Sequence, residues 1–597
     1  FYVQFSVGIP SSMSKFNIKI GKCDGAVVIG DRANLTIGAT QVHSPCQETG
    51  DDINYKAKSG YVLVINNYIF PTRPDGERHW SEEDVKGLKS LFDDFNFTTK
   101  IHDNLEQSEI KRLLQDTSEK DFGRYDCFVC VILSHGSKDG IYGTDNKLIN
   151  IEAITSCFRR NECPSLEGKP KIFLIQACRG SEQDRLTIES DSEPIPRASS
   201  SLPADADFLI CFASAPNHQS YRQPEIGSWF ISAIVDVFKK YAEREHLMDM
   251  MLRVNNRVAN FLGKMGQTSL KQIPCQVCML RRKVFFNPTH NTPLLLAIMP
   301  PCKLHHMKSR YFGLYAPFLT GKPSSMSKFK VNVEQCKGAV VVGDHAKLTI
   351  GPTGKISEAH APFQESGDDI DLKVKSGYVL VIHNYSFPKR EEAVRHGSEE
   401  DVKNLCSLFD DFNFKTRIVN NLTQSQMVEI LSETAEKDFS RYDCFLCVIL
   451  SHGLKDGILG IDDEKIKIEA ITSNFRRDAC PSLEGKPKIF LIQACRGNRQ
   501  DRVSIESDSE PVPCASSSLP ADADFLICFA SAPGHQSYRQ PELGSWFIST
   551  VVAIFKEYAE REHLMDMMLR VNNHVANYFS KTGLKQIPCQ VCMLRRK

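Results

Sequence analysis

Two histidines and two cysteines occupy positions from which they could act together on a carbonyl carbon. His135 follows the apolar run YDCFVCVIL, and Cys178 closes the run KIFLIQAC. His452 and Cys495 follow near-identical runs later in the chain. A free thiol is only a few per cent thiolate at neutral pH, because its pKa lies near about 8.5. An adjacent imidazole supplies the missing activation, as base or as imidazolium partner. Gly136 and Gly453 come directly after the histidines, and each leaves a backbone N–H unobstructed. With the amide of the neighbouring cysteine, each pair of donors would make an oxyanion hole for acyl transfer.

Such a pair needs elements that bring two chain-distant tips together. Continuous apolar runs are the mark of strands buried in a parallel sheet. Neighbouring strands lie about 4.8 Å apart, and sites form outside their carboxyl ends. The spacing predicts further strands at 59–67 and 206–214. It predicts helices at 81–95, 105–119, 151–160, 229–241 and 246–262, the first with Val85, Leu88, Leu91 and Phe92 on one face. Alternating strands and helices indicate an α/β layered fold.

The chain repeats itself. PSSMSKF occurs at 10–16 and 323–329, SGYVLVI at 59–65 and 376–382, and IFLIQACRG at 172–180 and 489–497. LKQIPCQVCMLRRK closes both copies, at Lys283 and Lys597. Most matches share one offset, 317 residues (495 − 178). A period of that length is a duplicated domain set, not a solenoid. Copy one continues past Lys283 into Val284, Phe285 and Phe286, whereas copy two stops, and the first residue is Phe1. Both ends of the chain are therefore expected to be truncated.

Composition bounds the function. Lys and Arg number 73, as do Asp and Glu, and this balance argues against coating nucleic acid or an anionic membrane. No apolar stretch approaches the roughly 20 residues that span a bilayer. The 21 cysteines, many inside apolar runs, suggest reduced thiols in a cytoplasmic protein. Four CxxC pairs (127/130, 275/278, 444/447, 589/592) lie in strand-like runs. Residues three apart on a strand face opposite sides, which disfavours zinc. No metal and no other cofactor is expected.

IQACRG matches a Q-A-C-[RQG]-G signature with its histidine upstream, here 43 residues away (178 − 135). With SHG, SYRQPEIGSWF and QIPCQVCML, this makes each half resemble a complete caspase protease domain, over roughly 53–286 and 370–597. The resemblance implies a three-layer α/β sandwich, present twice, with a mostly parallel central sheet and helices on both faces. It implies a cytosolic cysteine endopeptidase cutting after aspartate, made as a zymogen, split into large and small subunits, acting as a dimer and expected in cell death. Its partners would be proteins with exposed Asp-containing loops and a second caspase unit, from the other copy or another chain.

The domain plan that follows has a short β-rich segment (1–52), large subunit (53–191), intersubunit linker (192–207) and small subunit (208–286). An inter-repeat linker (287–322) leads to the second β-rich segment (323–369), large subunit (370–508), linker (509–524) and small subunit (525–597).

The resemblance places Arg78, Gln176 and Arg222 around a substrate carboxylate, with Arg395, Gln493 and Arg539 as counterparts. Guanidinium forks match carboxylate geometry, and leaving them unpaired would penalise an uncharged substrate. Tyr221 and Trp229, with Tyr538 and Trp546, match positions lining the neighbouring subsites. The copies depart from the family pattern at Ser137 and Leu454, where Glu is common. They differ from each other where Trp80 stands opposite Gly397, a bulk that would perturb the pocket loop of copy one. Processing is expected after Asp191 and Asp508 in Ser/Pro/Asp-rich loops, with trimming after Asp207 and Asp524.

The segments GAVVIGDRANLTIG (25–38) and GAVVVGDHAKLTIG (338–351) suggest a local hairpin or a stacking strand. The first is loosely similar to the RIP homotypic interaction motif. Two other functions stay open at this stage. A Cys–His peptidase specific for basic residues is disfavoured by the arginines. An inactive caspase-like scaffold or decoy is disfavoured by the intact His, Cys, Gly and Arg set in both copies.

Overall fold

The computed structural model describes residues 53–137, 140–179, 205–261 and 271–286 of the first half. In the second half it describes 370–454, 457–496, 522–578 and 585–597, with short interruptions at 75, 225 and 391–393. Backbone is also described for six short strands, at 17–20, 34–37, 263–265, 268–270, 330–332 and 347–349.

Copy one runs β1 (Gly60–Asn66), α1 (Ser81–Asp94), β2 (Thr98–Asp103), α2 (Gln107–Ser118), β3 (Cys127–Leu133) and α3 (Ile151–Ser156). It continues with β4 (Lys171–Gln176), β5 (Phe208–Phe212), α4 (Trp229–Tyr241), α5 (Leu247–Ala259) and β6 (Cys275–Cys278). Copy two repeats this as β7 (Gly377–His383), α6 (Ser398–Asp411), β8 (Lys415–Asn420), α7 (Gln424–Ala435), β9 (Cys444–Leu450) and α8 (Ile468–Ser473). Then follow β10 (Lys488–Gln493), β11 (Phe525–Phe529), α9 (Trp546–Tyr558), α10 (Leu564–Asn577) and β12 (Cys589–Cys592).

The two copies form one 12-stranded sheet, in the order β8-β7-β9-β10-β11-β12-β6-β5-β4-β3-β1-β2. Within each half the strands pair in parallel, except the last, which is antiparallel to its neighbour. The halves meet where β6 and β12 pair antiparallel, Val277 opposite Val591. Strands β1, β3 and β4 are buried along their whole length, as continuous apolar runs require. Tyr61, Leu63 and Ile65 share a core with Ile110 and Leu114 of α2 and Ile154 of α3. On α1, Leu88, Leu91 and Phe92 are buried, and α1 packs on α4, which packs on α5.

The core of copy one takes in Ala532, Ala576, Ile587 and Cys589 of copy two, and the core of copy two takes in Ala215, Ala259, Ile273 and Cys275. Buried amides lock the same junction. Asn255 Nδ2 donates to the Leu594 carbonyl (2.8 Å), and Asn572 Nδ2 to that of Leu280 (2.8 Å). Each of these asparagines also exchanges two bonds with a glutamine of its own copy, Gln276 or Gln590.

One local expectation changes. The helix expected over 151–160 ends at Ser156, because the chain then tightens into i→i−3 turns, Phe158 N–H to Thr155 and Arg159 N–H to Ser156. The strand described within 25–38 is 34–37. Residues 34–37 pair in parallel with 17–20, and 347–349 likewise with 330–332. Most of 25–38 and 338–351 lies outside the described residues, as do Asp191 and Asp508.

Among the described residues no helix is long and apolar enough to cross a membrane. The only described cluster of His, Cys, Asp and Glu within mutual ligand distance is His246, Asp249 and Asp566, which contains no cysteine.

Candidate active site

The parallel register sets the two reactive tips side by side. Leu133 pairs with Gln176, so His135 and Cys178, two residues further on, leave adjacent strands at the same level. Leu450 pairs with Gln493 and does the same for His452 and Cys495. The tips are in contact: a Cβ on Gly136 would lie 2.8 Å from the Ala177 Cβ and 2.8 Å from the Cys178 carbonyl oxygen. Gly453 is enclosed in the same way by Ala494 and Cys495. No side chain larger than hydrogen fits there.

The histidine rings are held edge-on by a phenylalanine that the sequence reading did not single out. Phe70 lies 4.6 Å from His135 and Phe387 4.6 Å from His452, centroid to centroid. Burial, with Arg395 nearby, lowers the His452 pKa to about 4, so this imidazole is neutral at pH 7. Gly136 lies opposite Ile141 in a small hairpin whose bonds are made by Ser137 N–H to Gly140 and Tyr142 N–H to His135. That pattern turns the Gly136 N–H to the outer edge of the hairpin. The Cys178 sulfur sits 3.8 Å from the Ser220 carbonyl oxygen and 3.7 Å from its Oγ. Ser220 also accepts the Gln176 Nε2 bond at 3.0 Å, so one serine aligns both side chains.

Beside each cysteine lies a pair of arginines. Arg78 is 3% exposed, and its Nη1 donates to the Asn67 carbonyl (2.8 Å). Its Nη2 is buried with no hydrogen-bond partner among the described residues. Burial and then the like charge of Arg222 push the Arg78 pKa well down, and Arg395 falls to about 9 from burial and Arg539. The facing counter-charge is Asp84, or Asp401 in copy two. Each is a buried carboxylate whose Oδ1 accepts the N–H of Ser228 or Ser545 at 2.8 Å. Burial raises Asp84, and raises Asp401 to about 6. Both acids belong to an SEED run that the sequence shows only as a helix start. Two guanidinium groups against one carboxylate leave an unmatched positive charge in each pocket, the complement of a substrate acid.

The aromatic positions divide into one half-buried and one buried ring. Tyr221 stacks obliquely on Trp229 at 5.2 Å, and Tyr538 on Trp546 at 5.1 Å. Trp229 and Trp546 are only 1% and 4% exposed, so the tyrosines carry the accessible face and the tryptophans support them from behind. Asp207 and Asp524 depart from expectation. Each is buried in a two-bond ion pair, Asp207 with Arg281 (3.1 and 2.6 Å) and Asp524 with Arg595 (3.1 and 2.6 Å). Their backbone N–H groups are bonded to Met279 and Met593. A strand entry so fixed argues against trimming at either position.

This fold is that of a family of cysteine peptidases. A sequence model described as the caspase domain matches residues 59–285 and again 376–597, and the chain belongs to the caspase family. Among its relatives are rabbit (Oryctolagus cuniculus) Caspase-3, 38% identical over 247 residues, covering 39% of this chain and 88% of that protein. Mouse (Mus musculus) Caspase-3 is 36% identical over 249 residues, covering 39% and 88%. Bovine (Bos taurus) Caspase-3 is 37% identical over 232 residues, covering 37% and 83%.

Proposed function

We propose that each half is a cysteine endopeptidase that cleaves proteins after aspartate. The observation that carries this reading is the charge-unbalanced arginine pair, one buried and one half-buried, beside a cysteine and histidine set at equal register. In this reading the P1 carboxylate is held by Arg78, Arg222 and Gln176, or by Arg395, Arg539 and Gln493. The Cys178 or Cys495 sulfur, its proton taken by His135 or His452, attacks the carbonyl carbon. The oxyanion rests on the N–H of Gly136 or Gly453 and that of the cysteine. The imidazolium returns its proton to the leaving amine. Water, activated by the same histidine, then splits the thioester and regenerates the thiol. Tyr221 and Tyr538, backed by Trp229 and Trp546, contact residues preceding the aspartate.

The chain is further proposed to be a zymogen cut after Asp191 and Asp508, acting in the cytoplasm in cell-death signalling on proteins with exposed Asp-containing loops. Its dimer is the pair of copies joined through β6 and β12. Fluorogenic peptides ending in Asp or Arg, assayed with wild type, Cys178→Ala, Cys495→Ala and the double variant after subunit cleavage, test the activity. Each single variant should retain Asp-peptide hydrolysis and the double variant none. No hydrolysis by cleaved wild type would refute the reading in favour of a scaffold, and Arg-peptide hydrolysis would refute the specificity.

A further inference from the structure

The two pockets differ at a rim position, Trp80 in copy one and Gly397 in copy two. Both lie in the left-handed region, Trp80 at φ 59° and Gly397 at φ 81°. Glycine reaches this region freely, whereas for a bulky side chain it is strained. Trp80 is nevertheless 37% exposed, so the strain is not offset by burying the indole.

Its effect falls on the facing loop. A Cβ on Gly397 would stand 2.5 Å from the Gln540 carbonyl oxygen and 2.9 Å from Pro541. In copy one a Cβ does stand there, so the peptide after Gln223 cannot hold the corresponding place. The arginine one residue earlier registers the difference. In copy two, Arg539 Nε donates to the His396 carbonyl at 2.7 Å. In copy one, the matching His79 carbonyl is met by the terminal Nη1 of Arg222, at 3.4 Å. Arg222 Nε is left buried with no hydrogen-bond partner among the described residues. The Arg222 guanidinium is therefore set back along its side chain. Trp80 itself lines an open cleft of about 330 Å³ with Glu77, His79 and Glu82.

We propose that Trp80 is a specificity-determining positioning residue. By holding Arg222 back it gives copy one a longer acid pocket, which accepts glutamate as well as aspartate, while copy two, closed on Gly397, remains strict for aspartate. A glutamate carboxylate lies one methylene further from its backbone, which suits a pocket with one withdrawn guanidinium. The proposal rests on the protease reading above. Trp80 acts through Arg222 and touches no reacting atom.

The test uses the full chain, with Cys495→Ala leaving copy one as reporter and Cys178→Ala leaving copy two. Matched peptides ending in Asp and Glu are compared by kcat/KM. The Asp-over-Glu ratio should be at least about tenfold smaller in copy one. Trp80→Gly should raise it to the copy-two value, mainly by lowering KM for the Asp peptide with kcat little changed. Gly397→Trp, or Gly397→Ala should the former not fold, should lower the ratio in copy two. Equal ratios in the two copies, or a ratio unmoved by Trp80→Gly, would overturn the proposal while leaving the protease reading intact. Hydrolysis of neither peptide by either copy would overturn both.

Discussion

Arg395 offers the sharpest test of how the pocket reads charge. It is 3% exposed, its Nη1 is committed to the Asn384 carbonyl (3.0 Å), and burial with Arg539 has lowered its pKa to about 9. A bound carboxylate would restore the missing negative charge and accept charge-assisted bonds from the guanidinium. Each such bond contributes about 1.5–3 kcal/mol. Losing a two-bond contact should then weaken transition-state binding by about 3–6 kcal/mol, or roughly 10²–10⁴ in kcat/KM. The perturbation is Arg395→Gln in a Cys178→Ala chain, so that only copy two reports, assayed with peptides ending in Asp and in the neutral isostere Asn. The variant should lose that factor toward the Asp peptide and little toward the Asn peptide, with an unchanged thermal midpoint. A loss below about tenfold toward Asp would refute the reasoning. So would an equal loss toward both peptides, since a collapsed pocket predicts that pattern.

Three other outcomes follow from the structure. Asn255→Ala strips partners from the Gln276 amide and the Leu594 carbonyl, all buried, and should destabilise the joined copies by about 3 kcal/mol or more in urea unfolding. Asn255→Ala with Gln276→Leu should lose clearly less than the two single effects added, and strict additivity would contradict the network. Burial alone would raise the Asp566 pKa, but hydrogen bonds and charge from His246 and Lys283 (2.8 Å each) outweigh it and hold it at about 2, against 3.8 as the ordinary value. A carboxyl lowered on folding stabilises above its unfolded pKa and ceases to do so as pH falls through the folded one. About 2 kcal/mol should therefore disappear between pH 4 and 2. Asp566→Asn should flatten that acid limb, and an unchanged limb would assign it to other groups. Peptide mapping of the chain with Asp191→Ala and Asp508→Ala should find the subunits unsplit, and splitting at the former sites' neighbours would disprove processing there.

The buried strands could be read from sequence because an apolar run bounded by polar turns has few other uses, and β4 spans the expected residues KIFLIQ. The Cys–His pairing could be read because register places the residues after such runs at one level. Other contacts left no local pattern. Phe70 looks like any core aromatic until it lies against His135, and Ser220 like any loop hydroxyl until it meets Gln176 and Cys178. Asp84 sits in a run of acids that equally suits a helix N-terminus, and only the fold brings Ser228 to it across 144 residues of chain. The Asn255–Leu594 bond spans 339 residues, beyond any periodicity argument.

Joining two caspase units in one chain changes what each can become. In a dimer of identical chains, every substitution appears in both pockets at once. In this chain the halves share one sheet through β6 and β12, yet each codon is separate. Some of the differences already present fall beside the paired arginines. Besides Trp80 and Gly397, copy one has Asn66 where copy two has His383, whose Nε2 lies 2.8 Å from the Ser398 hydroxyl. Burial and Arg395 lower the His383 pKa to about 4, so the exchange adds bulk without adding charge at pH 7. In copy one the matching Ser81 hydroxyl instead donates to Asn66 and accepts Arg78 Nη1 at 3.3 Å. The serine thus supports the Arg78 guanidinium in copy one, whereas in copy two the Ser398 hydroxyl donates to the Arg395 carbonyl at 2.7 Å. The cysteine and histidine tips show no such drift, with Gly136 and Gly453 enclosed alike and Phe70 and Phe387 at equal distance from their histidines. Exchanges beside the paired arginines, over one shared geometry at the cysteine, are what selection on specificity rather than on chemistry would leave.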